Sequence, residues 1–274
     1  MIRIVTDGTA SLPYALAARL GVYVVPVSYS VGGRIYQESY YNEALDIDQL
    51  IESKPGKCLT SHPPVSLFAD VFRNLTRDGD SVLCLVLSSR LSGTFSSATI
   101  AARDVEPGKV AVVDSLSTAG ALMLMIEYAK SLIDQGLALA QVVEAVEKKR
   151  ESVGIVFSVN DMTSLRRSGR LGDVRQSVSN VLNVRPILTC ADGVVKAQGV
   201  SRGDTQTVNA LIDRVPPAAT GILVHHHGEK YDPVALTDAL KARFPNARVQ
   251  LYPLGPTLRI HLGAGFIGIS WIAE

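Results

Sequence analysis

Three short apolar runs in the first half of the chain break off into loops of Asp, Ser, Thr and Gly, and this repeat constrains the fold more than any other feature. Ile2–Val5 leads into Thr6-Asp7-Gly8-Thr9, Ser81–Leu87 (SVLCLVL) into SSRLSGT, and Lys109–Val113 into DSLSTAG. Runs this short and this rich in β-branched residues read as strands buried on both faces, as in a parallel sheet. Helical segments separate them: Pro13–Leu20 with Ser11 as N-cap, Leu67–Leu75, a stretch ending at Ala102, Gly120–Gln135 and Leu139–Glu151. Strand and helix in alternation are βαβ units, so the first half is expected to be a parallel α/β layer. Between them, Val22–Val27 reads as one strand, residues 28–41 as a weak hairpin turning at Gly32-Gly33, and Ile47–Ser53 as helix.

The pattern changes near residues 152–157. Gly154–Ser158 reads as a strand, 161–168 as a short helix, and Val184–Leu188 with Val194–Gln198 as a hairpin around Asp192-Gly193. Thr205–Val215 and Pro233–Phe244 are helical, while Gly221–His226, Arg248–Pro253 and Phe266–Ile272 are strands. This half is expected to be an α+β layer with antiparallel pairing. The expected division is a domain of residues 1–153 and a second of residues 154–274.

Apolar residues make up 47% of the chain, aromatic ones 6% and charged ones 19%, and the mean hydropathy is +0.20. This excludes a disordered chain, which needs low hydrophobicity and high net charge. The densest apolar stretch, Thr118–Ile133, is broken by Glu127 and Lys130 and falls short of a membrane span. With 27 basic and 26 acidic residues there is no net field to draw the molecule to nucleic acid. Cys58, Cys84 and Cys190 are odd in number and widely spaced, and MIRIVTDGTASLP lacks the basic and apolar regions of a signal peptide. A reduced, cytoplasmic protein is expected.

Ligands of open α/β sheets sit beyond the carboxyl ends of the strands. The loops expected there are TDGTAS (6–11), TSHPP (60–64), SSRLSGT (88–94) and DSLSTAG (114–120). They bring Asp7, Thr9, Thr60, Ser61, His62, Ser92, Gly93, Thr94, Asp114 and Ser115 to one rim, suited to a carboxylate or phosphate. Ser, Thr and Gly also make ordinary turns and caps. Asp7 and Asp114 suit Mg²⁺ or a general base as well as turns, which leaves open an enzyme that handles phosphate or carboxylate in the same cleft. His261, in the Gly-rich loop LGPTLRIHLGAG (254–265), is an anion donor or acid–base candidate in a segment too rich in Gly for core. LRRSGRLG (165–172) carries Arg166, Arg167 and Arg170, followed by Arg175 and Arg185. It fits a docking patch for an acidic partner, a phosphorylated substrate or a lipid surface, or a plain solvated turn. His225, His226 and His227 alternate across a strand, so a shared metal site is not expected. No Walker A, G-x-S-x-G, H-E-x-x-H or strand-following G-x-G-x-x-G sequence occurs.

In their order and spacing, IVTDGTASLP, TSHPP, LSSRLSGTFSSA, VVDSLSTAG, LRRSGRLG, LNVRPIL and HLGAGFIGI resemble the DegV family of bacterial fatty-acid-binding proteins over nearly the whole chain. The resemblance implies two α/β domains with a long-chain fatty acid in the slit between them. It also implies a lipid carrier without catalytic residues of its own and without metal or cofactor. Its partner would be a separate ATP-dependent fatty acid kinase that phosphorylates the bound acyl carboxylate for phospholipid synthesis. Transient membrane contact fits the same role. Carried over by motif, Thr60, Ser61, Ser92, Arg202 and His261 would meet the carboxylate, with Arg166, Arg167 and Arg170 docking the partner. The chain departs from the family pattern at Gly8, where Ser or Thr is usual, at His62, where Gln is usual, and at Pro64, where Ser is usual. The closing GAGF replaces the commoner GPGA.

Overall fold

Four parallel strands, each entered through a short connection or helix, form the first layer of the protein. The computed structural model describes residues 1–40, 47–54, 56–160, 162–171 and 184–274. In chain order the strands are β1 (Ile2–Asp7), β2 (Val22–Val25), β3 (Val27–Val31), β4 (Arg34–Glu38), β5 (Cys58–Ser61), β6 (Ser81–Val86) and β7 (Val110–Asp114). The later strands are β8 (Val153–Ser158), β9 (Val184–Ala191), β10 (Val194–Arg202), β11 (Ala219–His227), β12 (Arg248–Pro253) and β13 (Phe266–Ala273). The helices are α1 (Tyr14–Leu20), α2 (Ile47–Glu52), α3 (Val65–Thr76), α4 (Thr94–Ala101) and α5 (Ala119–Asp134). They continue with α6 (Leu139–Lys149), α7 (Thr163–Ser168), α8 (Asp204–Ile212), α9 (Pro233–Arg243) and α10 (Pro256–Leu262).

The first sheet has the order β2-β1-β6-β7, with all neighbours parallel. Its period-2 alternation sends side chains to two different cores. Ile4, Leu83 and Leu85 pack with α1, α5 and α6. Val5, Val82, Cys84 and Val86 pack with Phe68 and Phe72 of α3 and Ala98 of α4. Cover on both faces explains why SVLCLVL shows no polar alternation. The second sheet has the order β10-β9-β8-β13-β11-β12 and is antiparallel except for the parallel pair β11 and β12. One face packs on α8 and α9 through Leu211, Leu236 and Leu240.

Helix α5 lies between these two sheets. Leu122 to Ile126 join the first core, while Ala119 and Ala121 join Ile155 and Phe157 of β8. Residues 119–126 are buried without a break, as a helix apolar on all sides must be. The fold class is therefore the expected one, a parallel-sheet α/β layer with a second, mixed-sheet layer.

Four local readings are corrected. Val22–Val27 is two strands, because Pro26 has no N–H to continue a ladder; β3 leaves to form a third, antiparallel sheet, β4-β3-β5. The TSHPP motif starts on a strand, β5, rather than in a loop. The segment 254–265 holds α10, whose Thr257, Leu258, Arg259 and Ile260 are buried. Ser11 does not cap α1; it sits in left-handed conformation (φ 52°) after a single 3-10 turn, and Pro13 precedes α1. The hairpin turn at Gly32-Gly33 is as expected, both glycines having positive φ.

Candidate functional site

A cavity opens where the carboxyl ends of the parallel strands meet the second sheet and α10. Its void is about 980 Å³ including the open space at its mouth. Ile155, Phe157, Val195 and Phe266 from the second sheet, Leu165 of α7, and Leu254, Leu258 and Leu262 around α10 form its apolar wall. Phe157 and Phe266 pack against each other with ring centroids 5.7 Å apart.

The polar wall comes from three loops, β5, α7's trailing turn and α10. Thr9, Thr60, Ser61, His62, Ser92, Gly93, Thr94, Thr118, Arg170, Thr257 and His261 all line the cavity. Thr60 Oγ1 lies 2.9 Å from His261 Nε2, joining β5 to α10 across 201 residues of sequence. Ser92 Oγ lies 3.0 Å from Thr94 Oγ1. Gly93 is the N-cap residue of α4 and supplies no side-chain acceptor, so the positive end of that helix opens on the cavity. The His62 ring covers Gly93, where a Cβ would stand 3.0 Å from His62 Cε1.

Burial, reinforced by the Arg170 charge, pushes the His261 pKa down to about 4. The imidazole is therefore neutral near pH 7 and offers one donor and one acceptor. Its Nδ1 is buried without a hydrogen-bond partner, a cost that a polar ligand atom would relieve. Arg170 is exposed at the rim, where its Nε donates to the Leu91 carbonyl at 3.3 Å. Among the described residues no carboxylate side chain lines the cavity. The arrangement can bind an acid group at one end and apolar substance along the other.

The two carboxylates considered for Mg²⁺ or base chemistry are committed to backbone turns. Asp7 is fully buried; its Oδ1 accepts from Thr9 N at 2.9 Å and from Thr9 Oγ1 at 2.6 Å, and its Oδ2 accepts from Leu87 N at 2.9 Å. Burial raises its pKa despite these bonds. Asp114 Oδ1 accepts from Leu116 N at 2.9 Å and Ser89 N at 3.1 Å. Ser115 is buried and bonds within its own turn to Ser117. Among the described residues no group of three His, Cys, Asp or Glu side chains is placed to hold a metal ion. His225 Nδ1 lies 2.8 Å from the Tyr252 carbonyl, and burial lowers its pKa to about 4.

The structure redistributes the arginines. Arg202 is exposed at the end of β10 opposite Val184 and does not line the cavity. Arg170, expected on a docking surface, lines it instead, because the turn after α7 folds back over Leu91. Arg166 and Arg167 are exposed on α7, and Arg175 lies outside the described residues. Sequence reasoning missed Thr118 and Thr257, although both sit in segments it singled out. It also missed the buried Glu38 beside the site. Gly8 is explained by that residue: a Cβ there would stand 2.3 Å from the Glu38 carbonyl oxygen, so Ser or Thr does not fit this backbone.

The model of the family described as "Uncharacterised protein, DegV family" matches residues 1–274. A DegV domain-containing protein of Streptomyces coelicolor is 31% identical over 274 residues, covering 98% of this chain and 97% of its own. Among solved structures, a DegV family protein from Thermus thermophilus, described by its fatty acid binding, superposes with a TM-score of 0.90 at 31% identity, covering 100% and 99% of the two chains. The Streptococcus pneumoniae fatty acid kinase B3 protein, loaded with linoleic acid, shares the fold with a TM-score of 0.85 at 21% identity and full coverage of both chains.

Proposed function

Because the chain belongs to the DegV family, we propose that it binds a long-chain fatty acid in this cavity and presents the carboxyl group to a separate ATP-dependent kinase. The observation that carries the reading is the division of the cavity: an apolar wall ending in neutral hydrogen-bonding groups, with an arginine at the rim and no carboxylate among its described residues. The solved relatives are described by the fatty acid they bind.

Each buried methylene contributes about 0.8 kcal/mol, so roughly fifteen of them supply on the order of 10 kcal/mol before ordering costs. A carboxyl group buried with that chain must find partners or cost several kcal/mol. Thr60, Ser92, Thr94 and the neutral His261 supply them from both sides of the cavity, and Arg170 adds charge at the rim. A carboxyl held there stays near solvent, where a kinase can reach it. Exposed Arg166 and Arg167 beside the rim suit an acidic face of that partner.

Mass spectrometry of an organic extract from natively purified protein is the test. The expected result is near-stoichiometric long-chain fatty acid; an extract without acyl species from folded protein that also fails to bind added palmitate overturns the reading. Charge reversal at Arg166 and Arg167 is expected to leave palmitate binding intact and slow its phosphorylation by the kinase.

A further inference from the structure

Helix α10 carries His261, yet its own N-cap residue is Gly255, which has no side chain to accept the helix's first N–H groups. The acceptors come from elsewhere in the chain. Glu38, at the end of β4 and 4% exposed, places Oε2 2.6 Å from Thr257 N, 219 residues away in sequence. Ser11 Oγ accepts from Gly255 N at 3.1 Å. The carboxylate sits in a tight cage: a Cβ on Gly255 would stand 2.0 Å from Glu38 Oε1, and one on Gly8 would meet the Glu38 backbone. Asp7, Arg259 and Tyr29 are the charged and titratable groups that interact with it from the neighbouring elements. One helical turn beyond Thr257, His261 makes its bond to Thr60 on β5, and β5 and β4 flank β3 in the same small sheet.

We propose that Glu38 is the positioning residue of the head-group end: by capping α10 from β4 it sets where His261 stands against Thr60, and so the affinity for the acid group of the ligand. The apolar wall needs no such hold, because burial of a chain is non-directional whereas hydrogen bonds fail with small displacements. The inference rests on the fatty-acid reading. It predicts selectivity: the geometry matters for palmitic acid and little for hexadecanol, which lacks the carboxyl group.

The test compares the affinities of palmitate and hexadecanol for the wild type, Glu38→Ala, Glu38→Gln and Glu38→Asp. Glu38→Ala is expected to weaken palmitate at least tenfold with hexadecanol changed less than twofold. Glu38→Gln keeps an oxygen acceptor and is expected to restore palmitate binding to within about threefold. Glu38→Asp keeps the charge but is one methylene too short, so it is expected to behave like Glu38→Ala, and it serves if the alanine variant does not fold. Equal losses for both ligands, no loss for palmitate, or a glutamine variant as weak as the alanine one each overturn the proposal. A wild type that binds neither ligand overturns the fatty-acid reading itself.

Discussion

Replacing Glu38 by Gln should make the protein more stable at alkaline than at acid pH relative to the wild type. Burial raises the Glu38 pKa from its ordinary 4.5 to about 7, against the hydrogen bonds from Thr257 and the positive charge of Arg259, and with help from the negative charge of Asp7. The folded protein thus holds this proton more tightly than the unfolded chain does. The stability Glu38 contributes through its proton is fully present below pH 4.5 and is lost as the pH rises through about 7. A displacement of about 2.5 pH units at 1.36 kcal/mol each corresponds to about 3 kcal/mol. Glutamine keeps an acceptor for Thr257 N and removes the titration. The stability of Glu38→Gln relative to wild type should therefore rise by about 3 kcal/mol between pH 4.5 and pH 8. In melting temperature that is roughly 6–12 °C for a chain of this size. Asp7 is also buried and raised, but it is present in both proteins and largely cancels. Thermal melts of the pair at half-unit pH steps provide the assay. A difference in melting temperature that stays constant from pH 4.5 to 8 refutes the reasoning.

Three further outcomes are expected. Arg170→Ala should weaken palmitate about tenfold and raise the His261 pKa, because the Arg170 charge helps hold it down; an NMR titration showing no upward movement contradicts this. Gly8→Ser should destabilise the fold by about 1–3 kcal/mol, since its Cβ would stand 2.3 Å from the Glu38 carbonyl oxygen; an unchanged melting temperature contradicts it. Phe157→Ala should cost about 3–5 kcal/mol of stability, as removal of a ring 4% exposed does, and should shift competition binding toward longer or branched acyl chains; unchanged selectivity would show that Phe157 does not bound the acyl path.

The parallel sheet was legible because double-sided burial leaves an unmistakable pattern in runs such as SVLCLVL, and the rules of α/β topology then place the loops after those strands on one rim. Thr9, Ser92, Gly93 and Thr94 follow from that logic and line the cavity, whereas Thr60, Ser61 and His62 reach it from the end of β5 in the antiparallel third sheet. Helix α10 was not legible. It is flanked by Gly255, Gly263 and Gly265, and its cap comes from Glu38 through a contact that no local pattern announces. The apolar wall was hidden for another reason: Phe157 and Phe266 carry the same alternation whether they fill a core or face a void. Arg170 lines the cavity and Arg202 does not, a difference that charge alone does not announce.

A crystal structure of the protein with palmitate tests the central claim most directly. The expected result is one palmitate in the cavity, its carboxyl oxygens within hydrogen-bond distance of Thr60, Ser92 or His261 and its chain against Phe157, Phe266 and Leu258. A carboxyl group bound away from His261, or palmitate density only on the outer surface, would contradict it.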